Sequence, residues 1–227
     1  MLRQTFDREL QRLQDDMLVV GRMVEKALIE SVEILKRRDL EGARRLIAGD
    51  QIINEKRFAI EADCLALIAT QQPVASDLRT LAGVLEIITE LERIGDYAKG
   101  IARTAIMTDQ EPLLKPLTKI SDMAEKTRNM LNRALEAFVQ RDVALARAIS
   151  AEDDEVDALY SQVYRGLLSI VMADTGTIDQ AAYLLSVAHN LERTSDRVIN
   201  ICERVIFTVT GEMVELDAED AGIESIS

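Results

Sequence analysis

The sequence predicts an all-α fold: two tandem, pseudo-symmetric three-helix bundles, six long helices in total. Three observations carry that expectation. The 227-residue chain is 48% apolar but only 4% aromatic, with 10 Gly, 3 Pro and no Trp, which suits long helices packed through aliphatic side chains. Its apolar residues recur at steps of three and four. Finally, "LERIGD" at Leu91–Asp96 returns as "LERTSD" at Leu191–Asp196, one hundred residues later.

The elements follow in order. Leu10, Leu13, Met17, Val20, Val24, Leu28 and Val32 form one buried stripe, predicting a helix over about 6–37. Asp39 in "KRRDLEGARR" can cap a second helix that runs to about Ala69. "TQQPVASD" breaks the pattern, and a third helix extends from about Asp77 to Met107. "TDQEPLLKP" holds two of the three prolines and reads as the linker between halves. Three further periodic stretches span about 117–140, 142–173 and 177–209, with Asp142 as a cap and "ADTGT" as a hairpin turn. The tail "GEMVELDAEDAGIESIS" is acidic and aperiodic, and is expected to be disordered.

The halves follow one script. "RDLEGARRLIAGDQIIN" at 38–54 aligns with "RDVALARAISAEDDEVD" at 141–157, an offset of 103. The later offset of 100 between the Leu-Glu-Arg phrases places a three-residue deletion in the second hairpin turn, where deletions are tolerated. The expected division is therefore 1–109 for the first bundle, 117–210 for the second and 211–227 for the tail.

The formal net charge is −13, from 40 acidic and 27 basic residues. Such a surface repels phosphate backbones and anionic lipid, so nucleic acid is not an expected partner and a membrane would be met only through other proteins. Basic protein surfaces or metal cations suit it better. No run of eighteen apolar residues could span a bilayer, and "MLRQTFDREL" does not read as a signal peptide. Cys64 and Cys202 lie inside helical patterns and read as reduced core thiols of a cytoplasmic protein.

Carboxylates at i and i+4 lie about 40° apart around a helix, on one face. That spacing joins Glu92 to Asp96, Glu192 to Asp196 and Asp153 to Asp157, while Asp50 pairs with the neutral Asn54. Within each antiparallel hairpin these pairs fall at similar heights, so each half can gather about four oxygen-bearing groups. Like charges that close need a counter-charge. Arg93 and Arg193 point about 100° away from the preceding glutamate, which favours a multivalent cation: oxygen donors suit magnesium, manganese, iron or calcium. The competing reading is a solvated face making surface ion pairs. His189, the sole histidine, sits one turn before Glu192 and reads more naturally as structural than as a ligand. Glu203 falls near the Asp196 face, and Tyr97 and Phe207 read as packing residues. No phosphate loop, nucleophile elbow or Cys/His pair is present, so no catalytic residue is assigned.

Around these residues the sequence resembles the PhoU family of bacterial phosphate-transport accessory and signalling proteins. The resemblance rests on "PVASDLRTLAGVLEIITELERIGDYAKGIA", on "LERTSDRVINICERVIFTVTGE" and on the tandem layout, and covers about residues 3–212. It implies paired E(D)xxxD motifs that in some members hold multinuclear metal clusters. Glu92/Asp96, Glu192/Asp196 and Asp153/Asp157 match that motif, Asp50/Asn54 departs at its last position, and "LERTSD" replaces the usual Ile-Gly. The implied cofactor is a divalent or multinuclear metal: iron, manganese, magnesium or zinc. The implied role is a cytoplasmic homodimer acting between the ATPase subunit of an ABC phosphate transporter and a sensor histidine kinase, restraining phosphate-starvation genes when phosphate is plentiful. A carboxylate-bridged metal enzyme and a metal-free helical adaptor for another phosphate transporter are the alternatives. Ferritin-like sites usually take Glu-x-x-His from two helices, whereas this chain offers only the reversed His189-x-x-Glu192.

Overall fold

The structure, a computed structural model, describes residues 2–108, 114 and 117–216. Among these residues it is all helical: α1 (Leu2–Arg37), α2 (Leu40–Gln71), α3 (Ala75–Met107), α4 (Leu117–Gln140), α5 (Val143–Ser150), α6 (Asp153–Ala173) and α7 (Ile178–Thr210), with one 3₁₀ turn at Thr175–Thr177. Most of the linker over 108–116 lies outside the described residues.

The repeated sequence produces repeated joints. Asp39 Oδ1 accepts the Gly42 backbone N–H at 2.8 Å, and Asp142 Oδ1 accepts that of Leu145 at 2.9 Å. Each satisfies a donor left open at a helix start. Before each cap an arginine turns left-handed, Arg38 at φ 56° and Arg141 at φ 58°.

One expected element is divided. The helix predicted over 142–173 is broken between Ser150 and Asp153 into a short α5 and a long α6, so the described residues form seven α-helices, six of them long. "EDDE" at 152–155 explains the break. Asp153, Asp154 and Glu155 occupy the first turn of α6, where the positive end of the helix dipole favours acids. Glu152 turns aside to Arg133 and Lys126 of α4, the latter at 3.3 Å. The first half has only Asp50 at this place, and α2 runs straight through.

α1, α3, α4 and α7 pack in a closed ring, α1 on α3 and α4, and α7 on α3 and α4. α2 covers α1 and α3 from one side, and α5 and α6 cover α4 and α7 from the other. The pseudo-symmetric bundles therefore share one continuous hydrophobic core. Gly21 and Gly83 permit the closest approaches. A Cβ on Gly21 would lie 2.3 Å from Leu135 Cδ1, and one on Gly83 would lie 2.7 Å from Thr208 Oγ1. Cys64 and Cys202 are buried free thiols, with burial pushing each up to about 12, so neither is a reactive thiolate.

The start of the tail also departs from expectation. Val214 and Leu216 pack on the core, and the Leu216 backbone N–H donates to Glu203 Oε1 at 2.9 Å, so 211–216 fold back on the bundle. Residues 217–227 lie outside the described residues.

A shared core predicts shared unfolding. Leu91 and Leu191 are both fully buried. Leu91→Ala and Leu191→Ala should each cost roughly 2–5 kcal/mol and move one cooperative urea transition followed by circular dichroism. Two separate transitions, each shifted by only one substitution, would show that the halves fold independently.

Candidate functional site

The site is built on α3 and α7, which run antiparallel side by side. Their register is read from the contacts between them. Arg204 Nη1 lies 2.9 Å from Glu86 Oε2, and Arg197 Nη1 lies 3.4 Å from Glu90 Oε2. Tyr97 lies beside Arg193, and Gly100 abuts Asn190. In this register the two phrases overlap at their C-terminal ends, with residues 94–96 of α3 about level with 194–196 of α7.

In the first half, Asp50 of α2 meets Glu92 and Asp96 of α3. Burial raises the Glu92 pKa, and the charges of Asp96 and Asp50 raise it further, against Arg57 and Arg93. The counter-charge is one that motif spacing alone does not reveal. Lys99 Nζ stands 2.5 Å from Asp50 Oδ2 and 2.6 Å from Asp96 Oδ1. Burial alone would lower the Lys99 pKa, but the hydrogen bonds to Asp50 and Asp96 hold it above its ordinary value. Asn54 Nδ2 adds a 3.2 Å bond to the same Asp50 oxygen. Asp50 is only 8% exposed and its other oxygen has no hydrogen bond, whereas Asp96 is largely open to solvent.

In the second half, Asp157 of α6 meets Glu192 and Asp196 of α7. Burial raises both α7 carboxyls; Asp196 and Asp157 push Glu192 up further, and Asp157 does the same to Asp196. His189 Nδ1 stands 3.0 Å from Glu192 Oε2, without the alignment of a hydrogen bond. Arg193 reaches back to Asp196 at 3.8 Å, so it turns away from Glu192 but not from the site. Arg197 also lowers Asp196, although its guanidinium is engaged by Glu90. Asp153 starts α6 partly buried, while the α6 carboxylate acting on both motif acids of α7 is Asp157. Glu203, expected near the Asp196 face, instead anchors residue 216.

The arrangement gathers oxygen donors without assembling a finished metal site. Among the described residues, no group of three or more His, Cys, Asp or Glu stands ready to hold a metal ion. The first patch does not fit one as it stands, because an ammonium already bridges its carboxylates. The second has the hard-oxygen donor set and a buried Glu192 oxygen without a hydrogen bond.

This scaffold matches known proteins along nearly its whole length. The PhoU domain model matches residues 17–105 and again 120–205, one copy per half. The chain belongs to the PhoU family. A PhoU homolog of Aquifex aeolicus is 36% identical over 208 residues, covering 92% of this chain and 94% of that protein. The Escherichia coli phosphate-specific transport system accessory protein PhoU is 35% identical over 207 residues, covering 91% and 86%. The crystal structure of the phosphate transport system regulatory protein PhoU from Streptococcus pneumoniae superposes with a TM-score of 0.86 at 30% identity, covering 92% of this chain and 99% of that one. These PhoU relatives are named as accessory or regulatory proteins, not enzymes. Each patch falls inside one PhoU domain match.

The raised carboxyls fix a sign. A folded-state pKa above the unfolded value makes the ionised form the less favourable one in the folded protein. Glu192 and Asp196 therefore withhold stability above their folded pKa values and return it as the pH falls through them. The Glu192→Gln/Asp196→Asn variant should melt roughly 2–4 °C higher at pH 7.5 in chelator, the shift that about 1 kcal/mol produces in a chain this size. By calorimetry the gain should shrink below the ordinary carboxylate range. An unchanged gain at pH 4 would mean that charge repulsion is not its source.

Proposed function

We propose that the protein is a cytoplasmic regulator of phosphate uptake and of phosphate-starvation gene expression, acting by contact with the ATPase subunit of an ABC phosphate transporter and with a sensor histidine kinase. The observation that carries this reading is the match, across more than nine-tenths of the chain, to PhoU proteins named as phosphate-specific transport accessories. The physical character of the chain supports it. The net charge of −13 favours basic protein surfaces over phosphate-rich ones. Among the described residues no helix is long and apolar enough to cross a membrane, so the membrane would be reached through the transporter. We take the acting form to be a homodimer, with metal at the carboxylate patches tuning the contacts rather than performing chemistry.

One observation favours a second reading, a helical adaptor that works without metal: no described group of acids is assembled around a metal-sized position. Deletion of the gene should derepress a secreted phosphatase in phosphate-replete medium, and the wild-type gene should restore repression. A silent phosphatase in the deletion strain would sink the regulatory reading. The Glu192→Gln/Asp196→Asn gene then decides between the versions. Loss of repression by a folded variant supports metal tuning, and full repression supports the adaptor.

A further inference from the structure

The large apolar side chains left at the surface are concentrated on the two covering helices and the turns that follow them. We propose that the solvent face of α6, centred on Leu168, seats a second copy of this chain in an antiparallel, two-fold contact of α6 on α6. This names the surface for the homodimer taken above and rests on that part of the reading.

α6 buries one side against α4 and α7. Its other side carries Tyr164, Leu168 and Met172 at successive steps of four, within about 80° around the helix. They are 47%, 48% and 80% exposed, and Ile178, just past the turn that follows, is 52% exposed. Residues 166–173, "GLLSIVMA", hold no charge in a chain that is 30% charged. The flanking charges fold back on their own segments: Arg165 Nε donates to the Ser161 carbonyl at 3.2 Å, and Asp174 Oδ1 accepts the Gly176 backbone N–H at 2.9 Å. Depletion of charge together with methionine and aromatic side chains is the composition of an interface core.

Charge decides what covers this face. At a net charge of −13 the chain repels a second copy over most of its surface, so two copies can meet closely only where acids are absent. With Leu168 on a two-fold axis, Leu168 meets its own equivalent and Tyr164 meets Met172 of the second copy, a sulfur–aromatic contact. Arg165 then stands at about the height of the second copy's Asp179, in the first turn of α7. The acidic first turn of α6, Asp153–Glu155, lies about 20 Å before the axis, so the two copies carry theirs to opposite ends. The first half offers no equal. Leu65, the counterpart of Leu168 at the offset of 103, is 55% exposed on α2. It borders a groove lined by Glu61, Glu86, Glu90 and Glu203 with one cation, Arg204, in the lining. A two-fold contact there would set acid against acid.

Sedimentation of the purified full chain in chelator tests this. The wild type should run as a dimer that dissociates on dilution. Leu168→Glu/Met172→Glu should run as a monomer at concentrations where the wild type is dimeric, with unchanged helicity by circular dichroism because both positions are exposed. Leu65→Glu, the same change on α2, should leave the dimer intact. Under mild oxidation Leu168→Cys should form a covalent dimer and Leu65→Cys should not; the native cysteines are buried and do not compete. A dimer that persists in Leu168→Glu/Met172→Glu, or a covalent dimer formed from Leu65→Cys and not from Leu168→Cys, would overturn the α6 seat and leave the homodimer standing. A wild type that stays monomeric at every concentration would overturn both, while the phosphatase readout still judges the regulatory role by itself.

Discussion

The antiparallel packing of α3 on α7 is the contact on which the rest of the molecule depends. Each helix belongs to a different half, so their pairing turns two bundles into one body with one core. Complementary charge adds to apolar burial in fixing the register. Glu86 meets Arg204 and Glu90 meets Arg197, with the Glu90–Arg197 pair well shielded from solvent. A half-buried pair of that kind discriminates against a slipped register because a one-turn shift would leave a partly desolvated charge without its partner. Gly83 then allows α3 to close on Thr208 at the far end of α7.

That register has an electrostatic consequence. It brings the two acid-bearing phrases together near the centre of the helix pair, where α2 and α6 each add further carboxylate. Burial raises Glu92, Glu192 and Asp196, so both patches exist at some expense of stability. In the first half a lysine and an asparagine relieve it from within. In the second half they have been replaced by an isoleucine and an aspartate. Duplication preserved the scaffold and the α3 and α7 acids while the compensating charge diverged.

The ends of the chain elements show the same reliance on charge. Arg79 and Arg141, from different halves, both donate to the Thr208 carbonyl near the end of α7, where cations oppose the negative end of the helix dipole. The segment after α7 then folds back onto Glu203. On α4, Arg133 and Lys126 hold Glu152 at the break before α6, and Lys126 also reaches Glu155 at 2.7 Å. The break therefore has a fixed geometry, and it orients the helix that carries Asp157.

The sequence by itself determined the helices, their caps, the duplication and the grouping of Glu92 with Asp96 and Glu192 with Asp196. These are short-range consequences of a 3.6-residue repeat and of side chains that cap their own backbone. It also carried the family, because the Leu-Glu-Arg phrases and their flanks match across nearly the whole chain. Tertiary structure alone decided that the two bundles share a core, that α6 starts afresh at Asp153, that the start of the tail packs, and that Lys99 closes the first patch. The last three depend on contacts between segments 13 to 49 residues apart in sequence. Long flexible arms such as those of Lys99, Arg133 and Arg197 reach partners set by inter-helix register, and periodicity along one helix carries no information about that register.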